Sequence, residues 1–580
     1  LNYNLQAKYK EAILHANKAL RIRLRLLDSR DPELAISLNT LSSILLRQGR
    51  YDEALDSARK AMDILFLNYS EYHPNVALVY DNIGLIYSSQ GKFDEATEYY
   101  KKSLEIREYC LGNDHPDLAK SYNNLGAAFY KQGMIQEAVE FFNKAIENQK
   151  TSFGESHPAL ANFYHSLGLI REDQNQLSEA YELYKKSLDI RESKLQEEHP
   201  ETAASHSALG NLYYKQGNYE KALHHLEKSV RIRIKIFGKH HPDVASNLNS
   251  LGLVHAALGY PIEAQKCYHK ACAIYSEIYG ELHPYVGMCL LNRGSILCQQ
   301  EKFEEALNFF KKALSVYNAC FPEKKHPDIT TIYNNIGNVF FNQKKYDEAL
   351  ENYQNGLEVK IQIHGEDDPG LSTFYNNIGL VYEAKEDIPK ALEYFNKSLQ
   401  IKIKNFGENC PELSGTYNNV GNLHLKSGDH AQALEYYKKA LNIQVKILGE
   451  NHPYNIVAYL NIGDTFSKKG DYENSAEYYN KGLEVALALN ANGNYTNEIA
   501  KSYLSLGDVM AKQNNFGEAL NMYNNSVQSL EKAKGSSGSS VTNLLNEVQR
   551  KIAKIYERKA TLAHLKKDET LMTIFSSEQT

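Results

Sequence analysis

Tryptophan is absent from the 580 residues, and the seven cysteines (Cys110, Cys267, Cys272, Cys289, Cys298, Cys320 and Cys410) contain no CxxC pair. An odd number of thiols at irregular spacing in so long a chain reads as free thiols in a reducing compartment, so a cytoplasmic location is expected. With 14 Pro and 34 Gly, the chain has too little of either for a collagen-like or linker protein. No run of 18 or more apolar residues exists, which excludes a helical membrane span. The first residues (Leu1, Asn2, Tyr3, Asn4, Leu5) lack the basic and apolar regions of a signal peptide. Lacking an initiating Met, the numbering is expected to begin inside a longer protein. The 65 Lys and Arg against 71 Asp and Glu give a net charge of -6, without the basic excess of a nucleic-acid binder. Hydrophobic residues at 42% and charged residues at 23% describe a folded chain rather than a disordered one. What is abundant is tyrosine, with 42 residues.

That tyrosine is periodic, and proline keeps the time. Pro32, Pro74, Pro116, Pro158, Pro200, Pro242 and Pro284 fall at steps of 42, Pro327 follows after 43, and Pro369, Pro411 and Pro453 resume at 42. Glycine follows the same lattice independently, from Gly84 and Gly126 through Gly463 and Gly507, with Ser42 in the first place. Twelve units are thus expected over residues 29–531, preceded by a half unit, 1–28. In residues 115–154, His115-Pro116 opens a segment in which Tyr122, Leu125, Gly126 and Phe129 recur at i, i+3, i+4 and i+7, one face of an amphipathic helix. Proline costs nothing at that first turn, because its missing N–H has no partner inside the helix. Gly133 ends the segment, and a second helix, about Ile135 to Ser152, carries Ala138, Phe142, Ala145 and Ile146 on one face. Each unit is therefore a helix–turn–helix pair. A glycine costs about 1 kcal/mol of helix propensity against alanine, so its recurrence in mid-helix reports close packing. The alternation of rings with small residues reads as interhelical core.

Tyr122, Leu125, Gly126, Phe129, Ala138, Phe142 and Ala145 match the tetratricopeptide repeat signature, with Tyr in the place of its Trp. The 42-residue length and the boundary Leu111, Gly112, His115, Pro116 resemble the kinesin-light-chain type of that family. The resemblance covers residues 1 to about 531 and implies an all-α fold, a right-handed α–α superhelix of about twelve helix–turn–helix repeats. Residues 532–540 contain GSSGSS and read as a flexible linker. Val541, Leu544, Leu545, Val548, Ile552, Ile555 and Leu562 then mark an amphipathic helix over 541–567, followed by a tail over 568–580. An array must cap its last apolar face, and this basic helix is expected to do so.

No phosphate-binding GxxxxGK[ST] loop, HExxH pair, GxSxG elbow or EF-hand loop is present, and no enzyme activity, catalytic residue, metal or cofactor is expected. Eight HP histidines (His73, His115, His157, His199, His241, His283, His326 and His452) stand one repeat apart and cannot converge on one ion. Cys267, His269 and Cys272 do not share a helical face well enough to hold one. The Arg231, Arg233, Lys235 cluster reads as a solvated helix end, where cations are favoured.

The first helices carry almost no charge in their centres, as in YNNLGAAFY and TYNNVGNLHL, while the second helices are rich in it. The first helices are therefore expected to line a concave surface. Two residues before the glycine stand Asn82, Asn124, Asn292, Asn335, Asn377, Asn419 and Asn461, opposite the core stripe. Such carboxamides would bond the backbone of an extended peptide, or equally pair with neighbouring helices. The resemblance to kinesin light chains implies the former, an asparagine ladder in contact with cargo peptide. Ser166, Ala208 and Ser250 interrupt the row. Lys131, Lys215, Lys426, Lys468 and Lys512, five residues after the glycine, are candidates to hold an acidic or C-terminal carboxylate. The expected function is a non-enzymatic scaffold that binds a peptide or partner helix in this groove, with protein partners and no nucleic acid. The alternatives are a sensor array of a larger multidomain enzyme or signalling ATPase, and an architectural subunit of a large assembly.

Overall fold

The computed structural model describes residues 9–47, 50–195, 198–323, 325–490, 495–532 and 539–577, with side chains in the last segment through residue 561. The GSSGSS run begins, and the chain ends, outside these residues. Twenty-six helices and no strand are found among the described residues. The chain divides into two compact units, Leu1–Cys320 and Phe321–Thr580.

In the N-terminal unit, a lone second helix, α1 (Tyr9–Leu26), precedes seven hairpins. These are α2 (Pro32–Arg47) with α3 (Tyr51–Asn68), α4 (Pro74–Ser89) with α5 (Phe93–Leu111), α6 (Leu118–Lys131) with α7 (Ile135–Phe153), and α8 (Pro158–Asp173) with α9 (Leu177–Lys194). There follow α10 (Pro200–Lys215) with α11 (Tyr219–Phe237), α12 (Pro242–Ala257) with α13 (Pro261–Tyr279), and α14 (Pro284–Gln299) with α15 (Phe303–Cys320). The C-terminal unit holds α16 (Pro327–Asn342) with α17 (Tyr346–His364), α18 (Leu371–Ala384) with α19 (Ile388–Phe406), and α20 (Glu412–Lys426) with α21 (His430–Leu448). Then come α22 (Pro453–Lys469) with α23 (Tyr472–Leu489), α24 (Thr496–Lys512) with α25 (Phe516–Lys532), and a single long helix, α26 (Ser539–Ser577). That last helix runs ten residues into the stretch read from the sequence as a tail.

Local chemistry sets the helix ends. His73 is the N-cap of α4, and its Nδ1 accepts from the Asn75 backbone N–H at 3.1 Å while Pro74 fills the first helical position. The same bond is made by each of the other seven HP histidines, at 3.1 to 3.3 Å. Asp31 and Asp368 do the equivalent with a carboxylate oxygen, at 2.8 and 2.7 Å. A neutral imidazole with a bare Nδ1 thus satisfies one of the orphan N–H groups that every helix start exposes. The described turns inside the hairpins take a left-handed residue, supplied by glycine at Gly91 and Gly133 with φ of 77° and 79°. Glu301, Lys344 and Glu386 adopt the same conformation without being glycine, at φ of 59°, 60° and 61°.

The mid-helix glycine lets a ring pass. A Cβ built on Gly337 would lie 2.5 Å from Tyr353 Cε1, and one on Gly126 would lie 3.1 Å from the Phe142 ring. Both rings are almost wholly buried. The first hairpin departs from this rule and compensates within itself. Ser42 stands in the glycine place, Ala58 takes the place of the ring, and the Ser42 hydroxyl donates to Ala54 O at 2.7 Å. Ser475, in the alanine place, likewise donates to Gly463 O at 2.8 Å. At the far end, α26 covers the last hairpin with buried Val548 and Ile555, beside Phe516 and Tyr523.

Candidate functional site

Among helices that are not sequence neighbours, the close packing joins successive first helices: α2 with α4, α6 with α8 and α10 with α12 in the N-terminal unit, α22 with α24 in the C-terminal unit. The asparagine row lies on the first helices.

Four of the seven asparagines are already tied to the preceding repeat. Nδ2 of Asn82 donates to Asn39 Oδ1 at 2.8 Å, Asn292 to Asn249 at 2.9 Å, Asn377 to Asn334 at 2.8 Å and Asn419 to Asn376 at 3.0 Å. Each pair is 43 residues apart, one more than the repeat, because the stack staggers neighbouring first helices. Asn124 lacks this bond: its Nδ2 is buried without a partner among the described residues. The place that would accept from it is Asp81, whose oxygens already take Ser103 Oγ at 2.7 Å and Arg107 Nη2 at 2.6 Å. Asn335 and Asn461 are half-buried, and their carboxamides bond no other described residue. Asn offers two donors and an acceptor, so Asn292, Asn377 and Asn419 each keep one N–H and an oxygen lone pair in hand, whereas Asn82 also donates to Asn39 O and accepts from Ser43.

The lysines divide as well. Lys215 pairs with Glu172 at 2.8 Å and Lys426 with Glu383, in both cases across to the preceding repeat. Lys131 lies over the Tyr130 ring, 5.5 Å from its centre, and Lys512 Nζ donates to Ser467 Oγ at 3.0 Å. Lys468 stands close enough to Asp464 to oppose the upward push that burial gives that carboxyl. Two of the five cations therefore carry their own counter-charge.

The Arg233 reading is corrected. Rather than a solvated helix end, its guanidinium donates to Asp243 O at 2.8 Å and Asn247 Oδ1 at 2.9 Å on the next first helix, and burial lowers its pKa. Arg191 makes the matching bonds, to Glu201 O at 3.0 Å and Ser205 Oγ at 2.6 Å, and its side chain is 4% exposed. Lys402 does the same with Glu412 O and Thr416 Oγ1. These braces recur 23 residues after the glycine, a spacing visible in the sequence but scattered among Arg, Lys, Gln and Tyr. Where the asparagine row is broken, a cavity of about 360 Å³ opens between the braces, lined by Asn162, His165, Ser166, Arg191, Glu201 and Arg233. Burial, with Arg191 adding to it, pushes His165 down to about 4.

A further set of contacts was missed. In the C-terminal unit, core tyrosines reach under the first helix to the residue after the glycine. Tyr353 Oη donates to Asn338 Oδ1 at 2.7 Å and Tyr437 Oη to Asn422 Oδ1 at 2.6 Å, Tyr479 donates to Asp464, and Tyr523 to Asp508 Oδ1 at 2.7 Å. The signal was present as a match of Tyr with Asn or Asp 15 residues earlier, set against Phe395 with Leu380. No group of three or more His, Cys, Asp or Glu that could hold a metal is found among the described residues. No helix there is long and apolar enough to cross a membrane.

The tetratricopeptide repeat family model matches residues 1–65, 75–151, 159–235, 201–261, 243–319, 328–404 and 412–488, more than half of the chain. Repeats of this family mediate protein–protein interaction. Among solved structures, BtubC (BKLC) from P. vanneervenii is similar at 20% identity, over 40% of this chain and 92% of that one, with a TM-score of 0.34. A putative kinesin light chain from Podosopora anserina with nearly identical TPR-like repeats is similar at 27% identity, over 35% and 97%, with a TM-score of 0.30. No curated protein matches the sequence.

Proposed function

The chain belongs to the tetratricopeptide repeat family, and we propose that it is a non-enzymatic scaffold whose first-helix face captures an extended peptide segment of a partner protein. The observation that carries this reading is the row of carboxamides on the first helices, several with hydrogen-bonding capacity left over after the repeats have joined. A peptide backbone offers a carbonyl and an N–H at every residue, so parallel weak bonds of about 0.5–1.5 kcal/mol each would add to a usable affinity without demanding one side-chain sequence. Seven thiols with no disulfide among them support a reducing compartment, the cytoplasm, as its location.

The variants must separate ligand binding from repeat packing. Asn335→Ala with Asn461→Ala removes carboxamides that bond no neighbouring repeat, and should weaken partner capture while leaving helicity and melting unchanged. Asn377→Ala with Asn419→Ala also cuts inter-repeat bonds, and should lower both. Affinity capture with mass spectrometry, run on wild type and both variants, reads the difference. Capture undiminished in the first pair would refute the first-helix face as the binding surface.

A further inference from the structure

The tyrosine contacts of the C-terminal unit have a directional consequence. A phenol whose ring is buried under a helix must donate its proton to something, and for Tyr353 and Tyr437 the acceptors are Asn338 Oδ1 and Asn422 Oδ1. A carboxamide turned the other way would present N–H to the phenol oxygen and leave the phenol proton unmatched. Asp464 and Asp508 stand in the same place before Tyr479 and Tyr523, and a carboxylate can only accept, so all four sites have the same polarity. With Oδ1 fixed against the phenol, both N–H groups of Asn338 and of Asn422 point away from it. Neither Nδ2 bonds another described residue, and neither is buried. Asn338 and Asn422 lie three residues beyond Asn335 and Asn419, on the same helical face.

We propose that Asn338 and Asn422 form a second row of ligand-binding carboxamides in the C-terminal unit, with Tyr353 and Tyr437 as positioning residues that hold them as pure donors toward the backbone carbonyls of an extended peptide. The proposal rests on the reading of the first-helix face as a peptide site and narrows it. Donors dominate at these two repeats. In the following repeats the same place is an acceptor, Asp464, and then Asp508, which is ion-paired to Lys551 of α26. Among the described residues of the N-terminal unit there is no equivalent: Tyr184 donates instead to Glu172, and the residue 15 before Phe142 is Ala127.

The test uses the full chain and a phage-displayed library of random twelve-residue peptides, keeping binders that Asn335→Ala with Asn461→Ala weakens. Tyr353→Phe with Tyr437→Phe keeps both rings against Gly337 and Gly421 and should weaken those peptides about tenfold, for two misaligned rungs. Asn338→Asp with Asn422→Asp keeps the acceptor for each phenol, so melting should hold while binding falls at least as far. On that Asp background the Tyr→Phe pair should cost nothing more. Binders that respond to the Asn335 and Asn461 variants but not to Asn338→Asp with Asn422→Asp would overturn the second row and leave the peptide site standing. A Tyr→Phe loss that persists in full on the Asp background would overturn the positioning role. A library that yields no binder sensitive to any of these asparagines would overturn both.

Discussion

The N-terminal and C-terminal units solve one problem in different ways. Each repeat must grip the next, and the side chain 23 residues after the glycine does much of it. In three repeats of the N-terminal unit that slot holds Arg107, Arg191 and Arg233, each buried and bonded to the following first helix, and in the other four it holds Leu65, Gln149, Tyr275 and Tyr317. In the C-terminal unit it holds Lys360, Lys402, Gln444, Ala486 and Leu530, while Tyr–Asn and Tyr–Asp bonds tie the two helices of four of the five hairpins. The aromatic pair between hairpin helices is shared by both units: Tyr80 meets Tyr99 and Tyr122 meets Phe141 in the first, Tyr375 meets Tyr394 and Tyr417 meets Tyr436 in the second. In α10 and α11 of the N-terminal unit the pair is His206 with His225, their Nδ1 atoms 3.0 Å apart. One backbone plan accommodates either buried charge or aromatic packing. The choice decides how each unit responds to mutation and to acid.

The largest expected effect tests the charged grip. Asp81→Ala leaves Arg107 buried with its carboxylate partner gone, and should cost the N-terminal unit about 3–5 kcal/mol. Adding Arg107→Leu should return most of it. Urea unfolding with hydrogen exchange resolved by unit reads both outcomes, and a single variant that unfolds like wild type would remove the distinction.

Acid should separate the units next. His206 is held down at about 3, by burial first and then by Lys228, His225 and His224, and His225 at about 4 by burial, His224, Lys228 and Lys221. Each lies below the ordinary value of 6.5. The unfolded chain therefore takes up the proton first. Stability is full above pH 6.5 and is lost as pH falls toward 4, by about 3 kcal/mol for His165 alone. Protection in α8 to α11 should fade over that window. In the C-terminal unit the carboxyl of Asp464 is raised by burial, which favours the protonated fold. Equal loss of protection in both units at pH 4.5 would count against this account.

A smaller effect probes the ring passage. Gly337→Ala drives a methyl into Tyr353 and should cost about 1–3 kcal/mol, whereas Ser42 already carries a side chain beside Ala58 without penalty. Tyr353→Ala in the Gly337→Ser background should recover less than the full cost, because the cavity left by the ring remains. The smallest change is a gain. Glu301→Gly, Lys344→Gly and Glu386→Gly relieve a left-handed turn, and each should stabilise by about 1 kcal/mol, seen as a rise in melting temperature.

Much of the fold was legible because it is written locally. Proline and glycine mark helix ends through the φ they permit, and the i, i+3, i+4 pattern marks the buried face. The partners across repeats were not, because they depend on stagger. Nothing in Asn377 alone says that it meets Asn334 rather than Asn335, since that choice is set by how far one hairpin slides past the last. Arg233 was misread for a related reason. It lies within a turn of a helix end, where solvent is the usual neighbour, and only the docking of α12 encloses it. The asparagine row was legible as a recurring position on the first helices, but the sequence left open whether its carboxamides bridge repeats or face a ligand, because the two uses are chemically identical in a one-dimensional pattern.

Ser42 and Ala58 carry one more consequence. Since the fit between the glycine place and the ring place closes within a hairpin, a whole hairpin is a self-consistent module. Genetic exchange between arrays of this kind would be tolerated when it cuts at the His-Pro boundary, which hands over both halves of each fit together. A crossover at the turn inside a hairpin would mate a serine with a tyrosine, and the lineage that inherited it would begin with a clash.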